Sequence, residues 1–196
     1  MTPALALEFV EVQVAPMLAV QMSGQCATDP ASIADAIRQK FQALFSFIAR
    51  HHLVPNGPPR AIYTAYDPAG LSFLVAVPVT AGPAAPAEDP LILVDTLPAT
   101  DAYRFTHHGP YTNLSQTYNQ ITALMKEKGW LRSNADWARY MPMWEEYLTD
   151  PEKTPPAQQL TYIYLPIPAQ WDSRNDPYRG FRPAHRPKRR RIVAAL

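Results

Sequence analysis

The hydrophobic and polar positions in the first half of the chain predict three strands and one long helix. Apolar and polar residues alternate loosely in the first stretch, which is interrupted at Pro16. Apolar residues then recur at helical spacing after Asp29 and Pro30, a pair that suits a helix N-terminus. The predicted elements are a strand at 8–23, a helix at 30–52, and strands at 60–67 and 71–80.

The second half repeats this order. A strand region is interrupted at Pro98, and an amphipathic helix follows that ends at Gly129. Asn113 and Gln116 resemble a capping pair for this helix, although Thr112 is an alternative cap. The predicted elements are strands at 92–94 and 102–107, a helix between them and Gly129, and strands at 142–149 and 160–167.

Short motifs recur in register in the two halves. An Asp-Pro turn occurs at 67–68 and at 150–151, and an apolar-Pro-apolar run occurs at 77–79 and 165–167. We therefore predict an α+β fold in which a tandem βαββ repeat forms one curved antiparallel sheet with two long helices on one face. The predicted domain is 1–168, with repeat one at about 8–80, repeat two at about 91–168 and a Pro/Ala-rich linker at 81–90.

Side-chain alternation assigns faces to the last two strands. The aliphatic row at Thr161, Ile163, Leu165 and Ile167 is expected under the helices, so Tyr162 and Tyr164 face the open side, where a ligand could lie. In the preceding strand Glu145 and Tyr147 share one face, while Trp144 and Glu146 share the other. Because each face carries one carboxylate, the alternation leaves open which acid faces a ligand.

Composition narrows the class of protein. Hydrophobic residues make up 47% of the chain, but no apolar run approaches the length of about 20 residues that a membrane span needs. Cys26 is the single cysteine, and the first residues lack the basic segment of a signal peptide. These features predict a soluble cytoplasmic protein with no membrane association.

Charge separates the chain into two parts. Residues 169–196 contain eight Lys or Arg and two Asp, whereas the rest of the chain is acidic. We expect this tail to be flexible, with at most weak contact to nucleic acid.

Metal and cofactor sites lack support in the sequence. His107 and His108 are adjacent on a strand, so they point to opposite faces and cannot readily bind one ion together. No nucleotide-binding or serine-hydrolase motif is present, and we expect neither a metal nor a cofactor.

Three motifs together resemble a known family. His-His-Gly-Pro-Tyr before a helix, Glu-Glu-Tyr-Leu-Thr-Asp-Pro, and Leu-Thr-Tyr-Ile-Tyr-Leu-Pro-Ile look like the GyrI-like small-molecule-binding domain over roughly residues 8–168. That domain is also the effector-binding module of AraC- and MerR-type multidrug-responsive regulators. The resemblance implies the two-repeat, SHS2-like fold and a glutamate that contacts cationic drugs in an aromatic pocket. Matched by motif, that glutamate is Glu145, although Glu146 stands where the family usually has a hydrophobic residue.

The resemblance implies a function and a set of residues. We expect the protein to sense or sequester hydrophobic, cationic small molecules. The first strand begins near Glu8, so we expect no preceding helix-turn-helix and no direct DNA-dependent regulation unless a partner protein supplies it. The predicted ligand-binding residues are Glu145, Tyr147, Tyr162, Tyr164, Tyr63, Tyr111 and Trp144.

Two alternatives stay open. One is a hydrolase of reactive electrophiles, in which Glu145 acts on water and Tyr147 or Tyr162 donates a proton. The other is a protein inhibitor of DNA gyrase that acts through an acidic surface. Binding and hydrolysis use the same residue types, so the sequence leaves enzymatic activity undecided.

Overall fold

The structure, a computed structural model, describes residue 7 and residues 9–67, 69–81 and 90–168. Two α-helices and eight strands make up most of this part of the chain. They are β1 (Phe9–Val14), β2 (Met17–Cys26), α1 (Pro30–Arg50), β3 (Arg60–Asp67), β4 (Gly70–Pro78), β5 (Ile92–Leu97), β6 (Thr100–His108), α2 (Leu114–Glu127), β7 (Met143–Tyr147) and β8 (Leu160–Pro166). Three short 3-10 helices lie at Tyr111–Asn113, Asn134–Tyr140 and Pro156–Gln158.

All eight strands join one sheet in the order β1-β6-β8-β7-β3-β4-β2-β5, and every neighbouring pair is antiparallel. The α+β class and the single antiparallel sheet are therefore confirmed. Strands from the two halves of the chain meet at the centre of the sheet, where β3 pairs with β7. The tandem βαββ repeat stays a prediction.

Short connections require the sheet to curve. β1 and β2 occupy the first and seventh positions, which are about 29 Å apart in a flat sheet. Only Ala15 and Pro16 connect these strands, and three Cα–Cα steps span at most about 11 Å. Pro98 and Ala99 connect β5 to β6 across the same gap. The two edges of the sheet must therefore approach each other at the end where these connections lie.

The main hydrophobic core lies between the sheet and the two α-helices. Leu44, Phe47, Ile121 and Met125 from the helices pack with strand residues such as Phe73, Phe105 and Leu165, all of which are nearly inaccessible to solvent. We call this side the helix face. Its burial follows from the helical spacing of apolar residues in α1 and α2 and from the alternation along each strand.

A second apolar cluster covers the opposite face of the sheet. It contains Ala19, Ile62, Leu74 and Trp144, and Tyr162 packs at its side. Ile163 and Leu165 belong to the helix-face core, whereas Tyr164 belongs to this second cluster. The predicted alternation of β8 is therefore confirmed. The opposite face is not uniformly open, because Ala19, Ile62, Leu74 and Tyr164 are all at most 5% exposed.

Some predicted boundaries need correction. Residues 8–23 are not one interrupted strand, because β1 and β2 lie near opposite edges of the sheet. Asp29 caps α1 as predicted, since its side chain accepts a hydrogen bond from Ser32 N. Asn113 makes no capping hydrogen bond, and the 3-10 turn at Tyr111–Asn113 leads into α2 instead. The predicted linker at 81–90 lies largely, and the basic tail wholly, outside the described residues.

Candidate functional site

The central strand β7 places two neighbouring glutamates on opposite faces of the sheet. Glu145 lies between Ala61 and Ile163 and points to the helix face, as Met143 and Tyr147 do. Glu146 lies between Arg60 and Tyr162 on the opposite face. Both acids are buried, with 4% and 6% exposure respectively. Their surroundings differ, and that difference decides what each can do chemically.

Tyrosine hydroxyls hold the Glu145 carboxylate on the helix face. Tyr118 of α2 donates a hydrogen bond to Oε1 at 2.7 Å. Tyr147, two residues along β7, donates to Oε2 at 2.7 Å. In the part of the chain that the structure describes, no Lys, Arg or His forms an ion pair with Glu145. The carboxylate is thus buried, accepts hydrogen bonds from tyrosine hydroxyls and has no ion-pair partner among these residues.

Burial shapes the acid–base properties of this cluster. It raises the pKa of Glu145, and hydrogen bonds from Tyr118, Tyr147 and Tyr63 partly offset that effect. Burial also raises the pKa of each of these three tyrosines well above its usual range, and the nearby Glu145 charge adds to the shift. The phenols therefore stay protonated at neutral pH and act as hydrogen-bond donors rather than bases.

Aromatic rings form the wall beside the carboxylate. The ring centroid of Tyr147 lies 5.9 Å from that of Phe41 on α1 and 5.0 Å from that of Tyr111. The Tyr111 hydroxyl donates to Thr149 O at 3.0 Å, which fixes its ring beside the end of β7. Burial raises the pKa of Tyr111 to about 12. The rings of Phe41 from α1 and Tyr111 from the 3-10 helix thus pack on Tyr147, whose hydroxyl holds Glu145.

His107 ties the end of β6 to the start of α2. Its Nε2 lies 3.2 Å from Pro110 O, and since a carbonyl oxygen only accepts, Nε2 carries a proton. Nδ1 lies 2.7 Å from the Thr117 hydroxyl of α2, within hydrogen-bonding distance. The histidine is 3% exposed, whereas His108 is exposed on the opposite side of the strand. His107 therefore positions the helix that carries Tyr118.

Glu146 is neutralised on the opposite face. Its Oε1 accepts from Arg60 Nε at 2.9 Å and lies 2.6 Å from Arg60 Nη2. Its Oε2 accepts from the Tyr164 hydroxyl at 2.8 Å. Trp144 stacks on Tyr164 with a centroid distance of 4.7 Å. Arg60 already supplies a countercharge to this carboxylate, so Glu146 has little capacity for a further cation.

The seven residues that the sequence indicates as ligand-binding fall into two groups. Four lie on the helix face, and three lie with Glu146 on the opposite face, so the seven do not line one pocket. The helix-face group is Glu145, Tyr147, Tyr63 and Tyr111, and the other group is Trp144, Tyr162 and Tyr164. Period-two alternation separates neighbours along a strand, so Trp144 cannot lie beside Glu145.

Sequence reasoning missed the contribution of Tyr118. Its spacing placed it in the apolar stripe of α2, together with Leu114 and Ile121. A hydroxyl within such a stripe needs a partner when it is buried. Here that partner is Glu145. The sequence therefore showed a hydroxyl that needs a partner, but only the position of β7 identifies Glu145 as that partner.

The described ranges contain neither a metal-binding cluster nor a helix suited to span a membrane. No group of three or more His, Cys, Asp or Glu residues there is arranged to hold a metal ion. None of the described helices combines the length and the apolar character that crossing a membrane requires.

Removing the Glu145 charge is expected to change how stability depends on pH. Because the folded-state pKa is raised, the native state retains this proton above the pH at which the unfolded chain loses it. Glu145 therefore lowers the free energy of unfolding as pH rises from the ordinary glutamate range through the folded pKa. We expect the stability of Glu145→Gln relative to wild type to be higher at pH 8 than at pH 4. Urea unfolding at both pH values tests this, and an unchanged difference would contradict it.

Comparison with a family model identifies the domain. Residues 7–168 match the model of the GyrI-like small molecule binding domain. The chain belongs to this family. The match covers all of the described residues. A search among curated proteins found no match.

Solved structures share the fold of this GyrI-like domain. The C-terminal domain of EcmrR matches with a TM-score of 0.63 and 17% identity over 82% of this chain and 96% of that one. EcmrR in its complex with DNA matches with the same TM-score and the same identity. That match covers 84% of this chain and 59% of the EcmrR chain. This chain thus spans little more than half of the EcmrR polypeptide in that complex.

Two other solved structures, a ligand-bound protein and a hydrolase, also match this chain. SAV2435, solved bound to tetraphenylphosphonium, matches with a TM-score of 0.54 and 16% identity over 81% of this chain and 93% of that one. A hydrolase from Listeria innocua matches with a TM-score of 0.50 and 14% identity over 81% and 91% of the two chains. At such identities the likeness establishes the fold alone.

Proposed function

We propose that this GyrI-like domain binds hydrophobic organic cations through Glu145 on the helix face. The observation that carries the proposal is a carboxylate that is 4% exposed and held by the hydroxyls of Tyr118 and Tyr147, with no cationic partner among the described residues. Burying an unpaired carboxylate is costly, and a ligand cation placed beside it relieves that cost.

The surrounding rings support the same ligand class. Phe41, Tyr111 and Tyr147 present aromatic surface close to the acid. Each ring face that meets a cation adds about 0.5–2 kcal/mol of attraction. Neither this attraction nor the carboxylate charge demands one ligand shape, so the site suits several cations rather than a single one. The bound tetraphenylphosphonium of SAV2435 supports this choice of ligand class.

The closed state of the site has a consequence for binding. Because Glu145 is almost inaccessible and the hydroxyls of Tyr118 and Tyr147 lie against its carboxylate, we expect a ligand that reaches it to displace at least one of these hydroxyls. Tyr118 belongs to α2, so its displacement loosens the contact between that helix and β7. Binding is then coupled to the position of α2, which suits a sensor of small molecules.

A ligand series with matched shapes tests the proposal. We expect tetraphenylphosphonium to raise the melting temperature of the wild-type protein, with about 2.7 kcal/mol of stabilisation at 100 times its Kd. The neutral triphenylphosphine oxide should give at most a small shift, because it lacks the charge. Calorimetric titration of both compounds provides the Kd values. Equal affinity for the cation and the neutral analogue would contradict a binding site organised around Glu145.

We propose hydrolysis as a second candidate, because two phenol hydroxyls lie 2.7 Å from the Glu145 carboxylate. In this reaction Glu145 removes a proton from water while the water oxygen bonds to a strained-ring carbon and a ring bond breaks. Tyr118 or Tyr147 then gives its proton to the released atom and is reprotonated through Glu145. Tyr162 cannot fill this role from the opposite face. Mass analysis of a strained-ring electrophile after incubation distinguishes turnover from binding.

A further inference from the structure

A separate cavity of about 310 Å³ opens beyond the C-terminal end of α2. Its walls include three aromatic residues, Tyr103, Trp130 and Tyr140, and the side chain of Ile167. Arg132 and Arg139 also line it, and no lining residue is acidic. The volume lies at the lower end of the range of about 300–1,000 Å³ typical of small-molecule sites. The cavity shares no residue with the cluster around Glu145.

The end of α2 fixes the aromatic wall. Gly129 adopts a positive φ of 71°, which ends the helix and turns the chain. Backbone N–H groups of Trp130 and Leu131 then donate to Met125 O at 2.8 and 3.2 Å. The Trp130 ring stacks on Tyr103 with a centroid distance of 4.4 Å and an interplanar angle of 13°. This wall is therefore set by backbone bonds and ring packing rather than by a mobile side chain.

A capping box fixes the cationic wall. The Asp136 carboxylate accepts hydrogen bonds from Arg132 N and Ser133 N, both at 2.8 Å. These bonds start the 3-10 helix at Asn134–Tyr140, which carries Arg139 and Tyr140 to the cavity. These backbone hydrogen bonds lower the pKa of Asp136, and the nearby charge of Arg139 adds a smaller effect. Within the described ranges, neither Arg132 nor Arg139 forms an ion pair with a carboxylate.

The charge of the cavity is opposite to that of the Glu145 site. A third cation, Lys128, lies with its Nζ 5.3 Å from the centroid of the Trp130 ring. Two arginines thus line the cavity and a lysine lies beside one of its rings, although the chain before residue 169 is acidic overall. Guanidinium groups bind carboxylate and phosphate groups through paired hydrogen bonds. Ring edges carry partial positive charge, so they too tolerate a nearby anion.

We propose that this cavity binds a small organic anion, with a carboxylate or phosphate group held by Arg132 and Arg139 and an apolar ring packed against Tyr103 and Trp130. The domain then has two sites of opposite charge selectivity, one for cations on the helix face and one for anions beyond α2. Both contact α2 or the segment that directly follows it, so the helix offers a route by which one ligand affects the other.

Calorimetric titration with naphthalene compounds tests the anion site. The probes are 1-naphthoate, 1-naphthyl phosphate and the neutral 1-naphthalenemethanol, added to the full chain at low salt. We expect the wild-type protein to bind at least one of the two anions about tenfold or more tightly than the alcohol. The tighter-binding anion identifies the preferred acidic group. Failure of both anions to bind better than the alcohol overturns the proposal.

Matched variants locate the binding. Arg132→Gln/Arg139→Gln should weaken anion binding by about tenfold or more, since both charge-assisted contacts are lost. Arg38→Gln/Arg50→Gln removes the same charge from exposed positions on α1 and should leave the affinity unchanged. Equal losses in both double variants would indicate nonspecific attraction and overturn the proposal, as would no loss in either. Within the described part of the chain, Arg38 forms an exposed ion pair with Asp35, and the other three arginines form none. Both double variants should therefore fold.

A further variant separates the test of the anion site from that of the proposed cation site. Glu145→Gln should retain anion binding, because Glu145 does not line this cavity. Loss of cation binding with intact anion binding would therefore separate the two sites. A change of anion affinity in Glu145→Gln as large as that in Arg132→Gln/Arg139→Gln would show that anion binding depends on the helix-face site and would overturn the assignment to Arg132 and Arg139.

Discussion

Replacing Glu145 by glutamine is expected to weaken the binding of tetraphenylphosphonium by about 100-fold or more, because the ligand charge loses the buried carboxylate that it pairs with in the proposed site. Glutamine keeps the size of the side chain and still offers an oxygen to Tyr118 or Tyr147. The variant therefore tests the charge rather than the packing. Calorimetric titration at neutral pH gives the change in Kd.

Two controls sharpen this measurement. Glu127→Gln removes the same charge from the exposed end of α2 and should leave the Kd within a factor of about two. Triphenylphosphine oxide should bind the wild-type protein and Glu145→Gln alike, because it carries no charge. If Glu145→Gln binds the cation as tightly as wild type does, the ligand does not depend on this carboxylate and the proposed site is wrong.

Replacing Arg60 by leucine is expected to destabilise the protein by about 3–5 kcal/mol, because it leaves Glu146 buried without its countercharge. Tyr164 would still donate to Glu146, but one neutral hydrogen bond does not replace an ion pair. Urea unfolding of the variant and the wild-type protein measures the difference in the free energy of unfolding.

The double variant Arg60→Leu/Glu146→Leu should recover most of that loss, because a buried ion pair replaced by apolar side chains is often neutral or stabilising. Arg38→Leu breaks an exposed ion pair with Asp35 and should cost less than about 1 kcal/mol. A loss for Arg60→Leu as small as that for Arg38→Leu would show that Glu146 becomes hydrated or protonated without cost.

The sequence was informative where local periodicity alone decides the structure. Spacing of apolar residues located α1, and Asp29 indicated its first turn. Alternation assigned the two faces of β8. Each of these features depends on neighbours along the chain, so no knowledge of the sheet order was required.

The sequence was less informative where distant segments meet. Residues 8–23 alternate through Pro16 as one strand does, yet the chain there passes between two nearly opposite edges of the sheet. Glu145 and Glu146 are equivalent in alternation, and only the pairing with β3 brings Arg60 to Glu146. Tyr118 likewise resembles a core residue until β7 lies beneath α2. In each case the deciding contact spans 27 residues or more of sequence.

The order of the strands in the sheet also bears on synthesis of the chain, because early strands pair with late ones. Among the described strands β1 pairs only with β6, and β3 completes its pairing only with β7, which ends at Tyr147. At about 5–20 residues per second, the ribosome leaves the first strand unpaired for several seconds. The N-terminal half therefore emerges with an incomplete sheet, and a nascent chain shorter than about 147 residues exposes strand edges that chaperones can recognise.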